Sequence, residues 1–95
     1  MHKNLPNIFG LEAEKNFIEF FKLLNKNNFQ VETIKSFYHF KINRWDLELN
    51  NNKLIKLPSE NVDESIKKAL ILLNDEKFGK YSILDLRIND KVIAQ

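Results

Sequence analysis

The chain has 95 residues, enough for one small core and too few for two, since a domain of this size buries only about two-thirds of its unfolded surface. Apolar residues make up 43% of it, eight of them Phe, with only two Gly and two Pro, which excludes disordered and fibrous classes. The 15 Lys and Arg against 13 Asp and Glu leave a net charge of +2, too small an excess to mark a general nucleic-acid reader. No cysteine is present for a disulfide framework or a thiolate metal site.

The first periodic segment runs from Leu11 to Asn25. Ala13, Phe17, Phe20, Phe21 and Leu24 recur there at three- and four-residue spacing, which predicts an amphipathic helix with its Phe stripe packed on a sheet. Gly10 precedes it and Asn25 to Asn28 follow as breakers. From Phe29 the period becomes two: Phe29, Val31 and Thr33, then Tyr38, Phe40 and Ile42 alternate with their neighbours. This reads as two short strands, or one strand broken near Lys35-Ser36, with Tyr38 and Phe40 facing inward. Trp45, Leu47 and Leu49 then point one way and Arg44, Asp46 and Glu48 the other, so apolar parity moves from even to odd across Asn43-Arg44. A parity slip implies a turn or a bulge, and a tight reversal is expected there. Trp45 belongs to the core. Asn50-Asn51-Asn52 reads as the turn of a hairpin joining Trp45–Leu49 to Lys53–Leu57.

Pro58-Ser59 ends that strand, and Asn61 with Glu64 three positions on has the spacing of a capping box. A second helix is expected, with Val62, Ile66, Ala69, Leu70 and Leu73 on one face and a break at Asn74-Asp75. Gly79 then marks a loop. Ser82 to Ile88 reads as a strand with Leu84, Leu86 and Ile88 on one side, Asn89-Asp90 as a turn, and Lys91 to Ala94 as a final strand. Strands outnumber helices without regular alternation, so the expected fold class is α+β: an antiparallel sheet with two packed helices, ending in a β-hairpin whose last strand is an exposed edge.

The residues offer little to a reaction. His2 is terminal, and His39, read as a surface or rim residue, has no second ligand at metal-binding spacing. Gly10 and Gly79 build no phosphate loop, the serines lack a nucleophile elbow, and Asp63-Glu64 and Asp75-Glu76 sit at helix ends, where the dipole accounts for them. Neither an enzyme nor a cofactor nor a small-molecule ligand is expected. Lys35, Phe37, Tyr38, Phe40, Lys41, Arg44 and Trp45 interleave rings and cations in the manner of a single-strand nucleic-acid platform. Alternation separates Tyr38 and Phe40 from Lys41, however, leaving no shared surface, so no nucleic acid is expected. The longest apolar run, Ala69 to Leu73, is far short of the roughly 20 residues of a membrane span.

Taken in order, Arg44-Trp45-Asp46-Leu47, Leu57-Pro58, Asp85-Leu86-Arg87 and Asp90-Lys91-Val92, together with Leu5-Pro6 and Gly10 before the first helix, resemble the carboxyl-terminal β domain of the FtsQ/DivIB cell-division family. Asn50-Asn51-Asn52 stands where members often carry a Gly, and Lys91 where many have Arg. The resemblance implies one domain over residues 1–95 of a single-pass protein, with the transmembrane helix and POTRA domain lying outside this chain. It implies residence on the periplasmic face of the bacterial inner membrane at the septum, and a non-catalytic scaffold that recruits the division proteins FtsB and FtsL. It also implies strand addition by FtsB at the terminal strand, which places the partner-binding residues at Arg87, Ile88, Asn89, Asp90, Lys91, Val92, Ile93 and Ala94, with Arg87 as a charged contact for an acidic partner residue.

Overall fold

The computed structural model describes residues 7–88 and 91–95. Eight elements follow in order: β1 (Asn7–Gly10), α1 (Ala13–Lys26), β2 (Ile34–Phe40), β3 (Arg44–Leu49), β4 (Leu54–Lys56), α2 (Val62–Leu73), β5 (Ile83–Asp85) and β6 (Ile93–Ala94). The six strands form one sheet in sequence order. β2, β3 and β4 make an antiparallel meander, and β5 with β6 an antiparallel hairpin. β1 pairs with β2 and β4 with β5 in parallel, each pair bridged by a helix, because parallel neighbours need a crossover connection. The class is α+β on a mixed sheet. β1 and its parallel pairing were not anticipated.

One face of the sheet is covered. Phe20 and Leu24 of α1 and Ile66, Ala69 and Leu72 of α2 join Phe37, Trp45, Leu47, Leu49, Ile55, Leu57, Leu84 and Leu86 in a single core. Both helical stripes are buried as expected of amphipathic helices. At the centre the Trp45 indole, 3% exposed, stacks on Phe20 at 4.9 Å and 6°, while Phe37 meets it edge-on at 6.1 Å and Phe17 meets Phe37 edge-on at 4.9 Å. Offset stacks and edge-to-face contacts are the favoured ring geometries, so the cluster gains beyond area burial.

Four local expectations are corrected. Phe29–Thr33 is not a strand: Phe29 is buried in a loop and Val31–Thr33 forms a 3-10 turn. In β2 the inward residues are Phe37 and His39, whereas Tyr38 is half-buried and Phe40 is 40% exposed on the opposite face. The cause is a register shift between Ile34 and Ser36, which turns Ile34 inward and moves every later residue to the other parity. No slip then occurs at Asn43; the chain reverses there in a turn with Asn43 at φ 59, and His39 pairs with Trp45 on the same face. Asn61 forms no capping box: it sits at φ 56, ψ 41 with no side-chain bond to the helix, whereas a capping residue holds an extended backbone.

His39 is buried at 5% exposure, not a rim residue. Its Nδ1 donates to the Leu11 carbonyl at 2.7 Å, Nε2 lies 2.9 Å from the Asn43 side-chain amide, and its ring is 4.6 Å from Trp45. The ring thus ties the entry of α1 to the β2–β3 turn. Gly10, at φ 116, makes that approach feasible: a Cβ there would lie 2.1 Å from the His39 carbonyl oxygen.

Two substitutions test this packing. Trp45→Ala should cost about 3–5 kcal/mol, a large part of a small domain's stability, read as loss of the cooperative urea transition or its shift to low denaturant. A transition within experimental error of the parent's would contradict the buried indole. Gly10→Ala should cost at least about 1–3 kcal/mol from backbone strain alone, lowering Tm by roughly 4–8 °C per kcal/mol. An unchanged Tm would mean that β1 is not docked on β2 in solution.

Candidate partner-binding edge

Among the described residues, β6 is the last strand of the sheet, paired on one side only. Its position is inherited through β5. Leu54 N–H donates to the Ser82 carbonyl at 2.8 Å and Leu86 N–H to that of Lys56 at 2.8 Å, joining β5 to β4. The Lys53 ammonium donates to the carbonyls of Gly79 at 2.7 Å and Tyr81 at 2.5 Å, closing the connection from α2 onto the hairpin loop.

Which backbone groups of β6 remain unpaired follows from its ladder. Gln95 and Ile83 exchange both hydrogen bonds at 2.9 Å, Leu84 stands opposite Ala94, and Asp85 opposite Ile93. In an antiparallel pair, hydrogen-bonded and non-bonded partners alternate, so Ile93 and Gln95 turn their N–H and C=O toward β5 while Val92 and Ala94 turn theirs outward. The side chains divide the other way. Val92 and Ala94 pack against the core, and Ile93 stands exposed on the helix-free face beside Asp85. The unclaimed backbone groups of Val92, just before β6, and of Ala94 within it therefore sit with an apolar side chain at the same edge.

Arg87 lies just before the hairpin turn. Its Nε and Nη2 donate to the two carboxylate oxygens of Asp85 at 2.8 and 2.7 Å, and its side chain stays 45% exposed. The bidentate bond from Arg87 holds the Asp85 carboxyl below the usual carboxylate range, and Asp85 in turn raises Arg87 further. Because the folded-state value is lowered, ionised Asp85 stabilises the fold at neutral pH, and this contribution is lost as pH falls through the lowered range. Arg87 also borders a concavity of about 380 Å³ with Arg44, Ile42 and Pro58, a convergence of two guanidinium groups that sequence spacing did not reveal. Arg44 is bound to Asp46 at 2.6 Å and donates to the Leu57 carbonyl at 3.3 Å. The signal was present in the parity of β3, which puts Arg44 on the same face as Asp46, but the neighbour on β5 is set by the α2 crossover.

Of the candidate site residues, Arg87, Ile88, Lys91, Val92, Ile93 and Ala94 lie at this edge. Ile88 and Ile93 are exposed and Lys91 N–H donates to the Ile88 carbonyl at 3.2 Å. Asn89 and Asp90 fall outside the described residues. No group of three or more metal-ligating side chains occurs among the described residues, and no helix there is long and apolar enough to cross a membrane.

The chain is 28% identical over 100 residues to the cell division protein FtsQ of Blochmanniella floridana, an alignment covering 94% of this chain and 35% of that protein, so the chain spans about a third of the curated relative it matches. The model of the family described as cell division protein FtsQ/DivIB, C-terminal, matches residues 1–87, every element from β1 through β5 and on to Arg87. The matched span stops short of β6, whose reading rests on its own geometry. Five of the six strands, both helices and the D-L-R segment fall within one continuous match, and the chain belongs to the FtsQ/DivIB carboxyl-terminal family of cell-division proteins.

Proposed function

We propose that this chain is a non-catalytic interaction module of the division machinery, one domain over residues 1–95, which recruits an FtsB-type partner, and FtsL with it, by strand addition to β6. The observation that carries the reading is the unpaired outer side of β6, with the N–H and C=O groups of Val92 and Ala94 directed away from β5. The contact surface is Arg87, Ile88, Asn89, Asp90, Lys91, Val92, Ile93 and Ala94. Family membership supports a place in cell division, on the periplasmic face of the inner membrane at the septum, with membrane attachment through a segment outside this chain.

Magnitudes indicate that backbone pairing alone is insufficient. Two outward residues offer about four hydrogen bonds, a net gain of roughly 2–6 kcal/mol, against an association cost of about 4–15 kcal/mol. Side-chain contacts must supply the difference. Ile93 offers apolar area on the helix-free face, and Arg87, already oriented by Asp85, offers its outer N–H groups to a partner carboxylate with little further loss of side-chain freedom. Nucleic acid is disfavoured on the same face, because Arg44 and Arg87 are each neutralised by an aspartate and Glu48 adds a further negative charge.

Proline substitutions separate folding from binding. Val92→Pro removes an outward N–H, so the fold should survive while affinity for the soluble FtsB domain falls. Ile93→Pro removes an inward N–H and should destabilise the hairpin itself. Arg87→Glu should weaken binding by roughly tenfold or more, with a larger effect at low salt. Calorimetric titration with the soluble FtsB domain, paired with thermal melts, reads all three. If folded Val92→Pro and Arg87→Glu bind as tightly as the parent, the edge is not the site.

A further inference from the structure

The helix-free face carries side chains that the core does not use. Between β2 and β5 it forms a concavity of about 560 Å³ lined by Tyr38, Phe40, Glu48, Leu54 and Ile83, with Asp46 at one end. Among the described residues, two carboxylates and no Lys or Arg line it. The two acids are not equivalent. Asp46, 7% exposed, is neutralised by Arg44 at 2.6 Å. Glu48 is half-buried and accepts from the Tyr38 hydroxyl at 3.0 Å, but among the described residues no Lys or Arg pairs with it, and its neighbours across the ladder are Ser36 and Leu54. The cavity therefore holds one uncompensated negative charge.

The rings beside that charge are fixed. Tyr38 is stacked on Phe9 at 5.3 Å and 17°, and Phe40 already carries the Arg44 guanidinium 4.3 Å from its centroid. Leu54 and Ile83, paired across β4 and β5, form an aliphatic floor. A carboxylate beside an aromatic ring above an aliphatic surface matches a side chain with a cationic head and a methylene stem.

We propose that this cavity takes a Lys or Arg side chain of a peptide partner, with its charged head at the Glu48 carboxylate beside the Tyr38 ring and its stem on Leu54 and Ile83. Charge complementarity selects this occupant: the lining supplies a net negative charge and no donor cation for an acidic group. Neighbouring strands lie about 4.8 Å apart, so Glu48 on β3 stands about 19 Å from any strand added beyond β6. The basic side chain thus belongs to a segment crossing the helix-free face rather than to the added strand, and the inference stands whether or not β6 is occupied.

The test is an NMR titration of the 95-residue chain with N-acetyl-arginine amide and N-acetyl-lysine amide, with N-acetyl-norleucine amide as the neutral control. The charged probes should shift resonances of Tyr38, Glu48, Leu54 and Ile83 saturably in the millimolar range, weakening as salt is raised. Norleucine amide should leave them in place. Glu48→Gln, which keeps an acceptor for the Tyr38 hydroxyl, should weaken the charged probes by roughly fivefold or more with an unchanged Tm. Equal binding of the neutral probe, or undiminished binding by Glu48→Gln, would overturn the proposal. So would the same resonances moving with protein concentration alone, which would assign the cavity to a second copy of the chain. None of these outcomes bears on β6, so failure here leaves the edge reading intact.

Discussion

The Trp45 indole, lying flat on Phe20 and bounded edge-on by Phe37, fixes both what the sheet covers and what it leaves open. β3 lies inside the sheet, paired to β2 and β4, so turning Trp45, Leu47 and Leu49 toward α1 and α2 necessarily turns Arg44, Asp46 and Glu48 to the other side. A slip of one residue would bury three charged groups and expose the largest ring in the chain, which is why the register is so strongly specified. The charged chemistry of the helix-free face is a consequence of the core, to which Arg44 is tied directly through the Leu57 carbonyl. Burial is also felt by the nearest of those charges: desolvation pushes the Asp46 carboxyl up, opposed by the Arg44 guanidinium.

The carboxyl edge depends on the core at one remove. α2 buries Ile66, Ala69 and Leu72 against the sheet, and the crossover it makes delivers β5 parallel to β4 with Leu84 and Leu86 inward. β6 follows by the hairpin, and its side is then determined: Ile93 toward β5 through its backbone, Val92 and Ala94 outward. A strand this short, flanked by Lys91, offers little edge for self-association. The same face carries the paired arginines Arg44 and Arg87, each held by an aspartate, and at a separate place the acidic cavity at Glu48.

Legibility in the sequence varied for physical reasons. Both helices, the hairpin at Asn50-Asn52 and the burial of Trp45 were readable because each contrasts apolar with charged residues at a clear period. β2 was misread because Phe37, Tyr38, His39 and Phe40 put rings on both faces, leaving no contrast to choose between parities; the break expected near Lys35-Ser36 coincides with the register shift, but its effect on parity depends on the partner strand. β1 escaped notice because Asn7–Gly10 is short and pairs in parallel with a strand beyond a whole helix. His39 became a buried link for the same reason of parity. At the edge, the terminal hairpin was legible, but the direction of each N–H was not: that depends on the pairing of Gln95 with Ile83.

The central claim is that the outward amides of β6 capture a strand. Amide hydrogen exchange of the chain with and without the soluble FtsB domain tests it most directly, because the ladder assigns each amide a side. Val92 and Ala94 N–H should exchange freely alone and become protected in the complex, while Ile93 N–H, already bonded to β5, should change little. Protection appearing elsewhere with Val92 and Ala94 unchanged, or appearing equally at Ile93, would contradict strand addition at this edge.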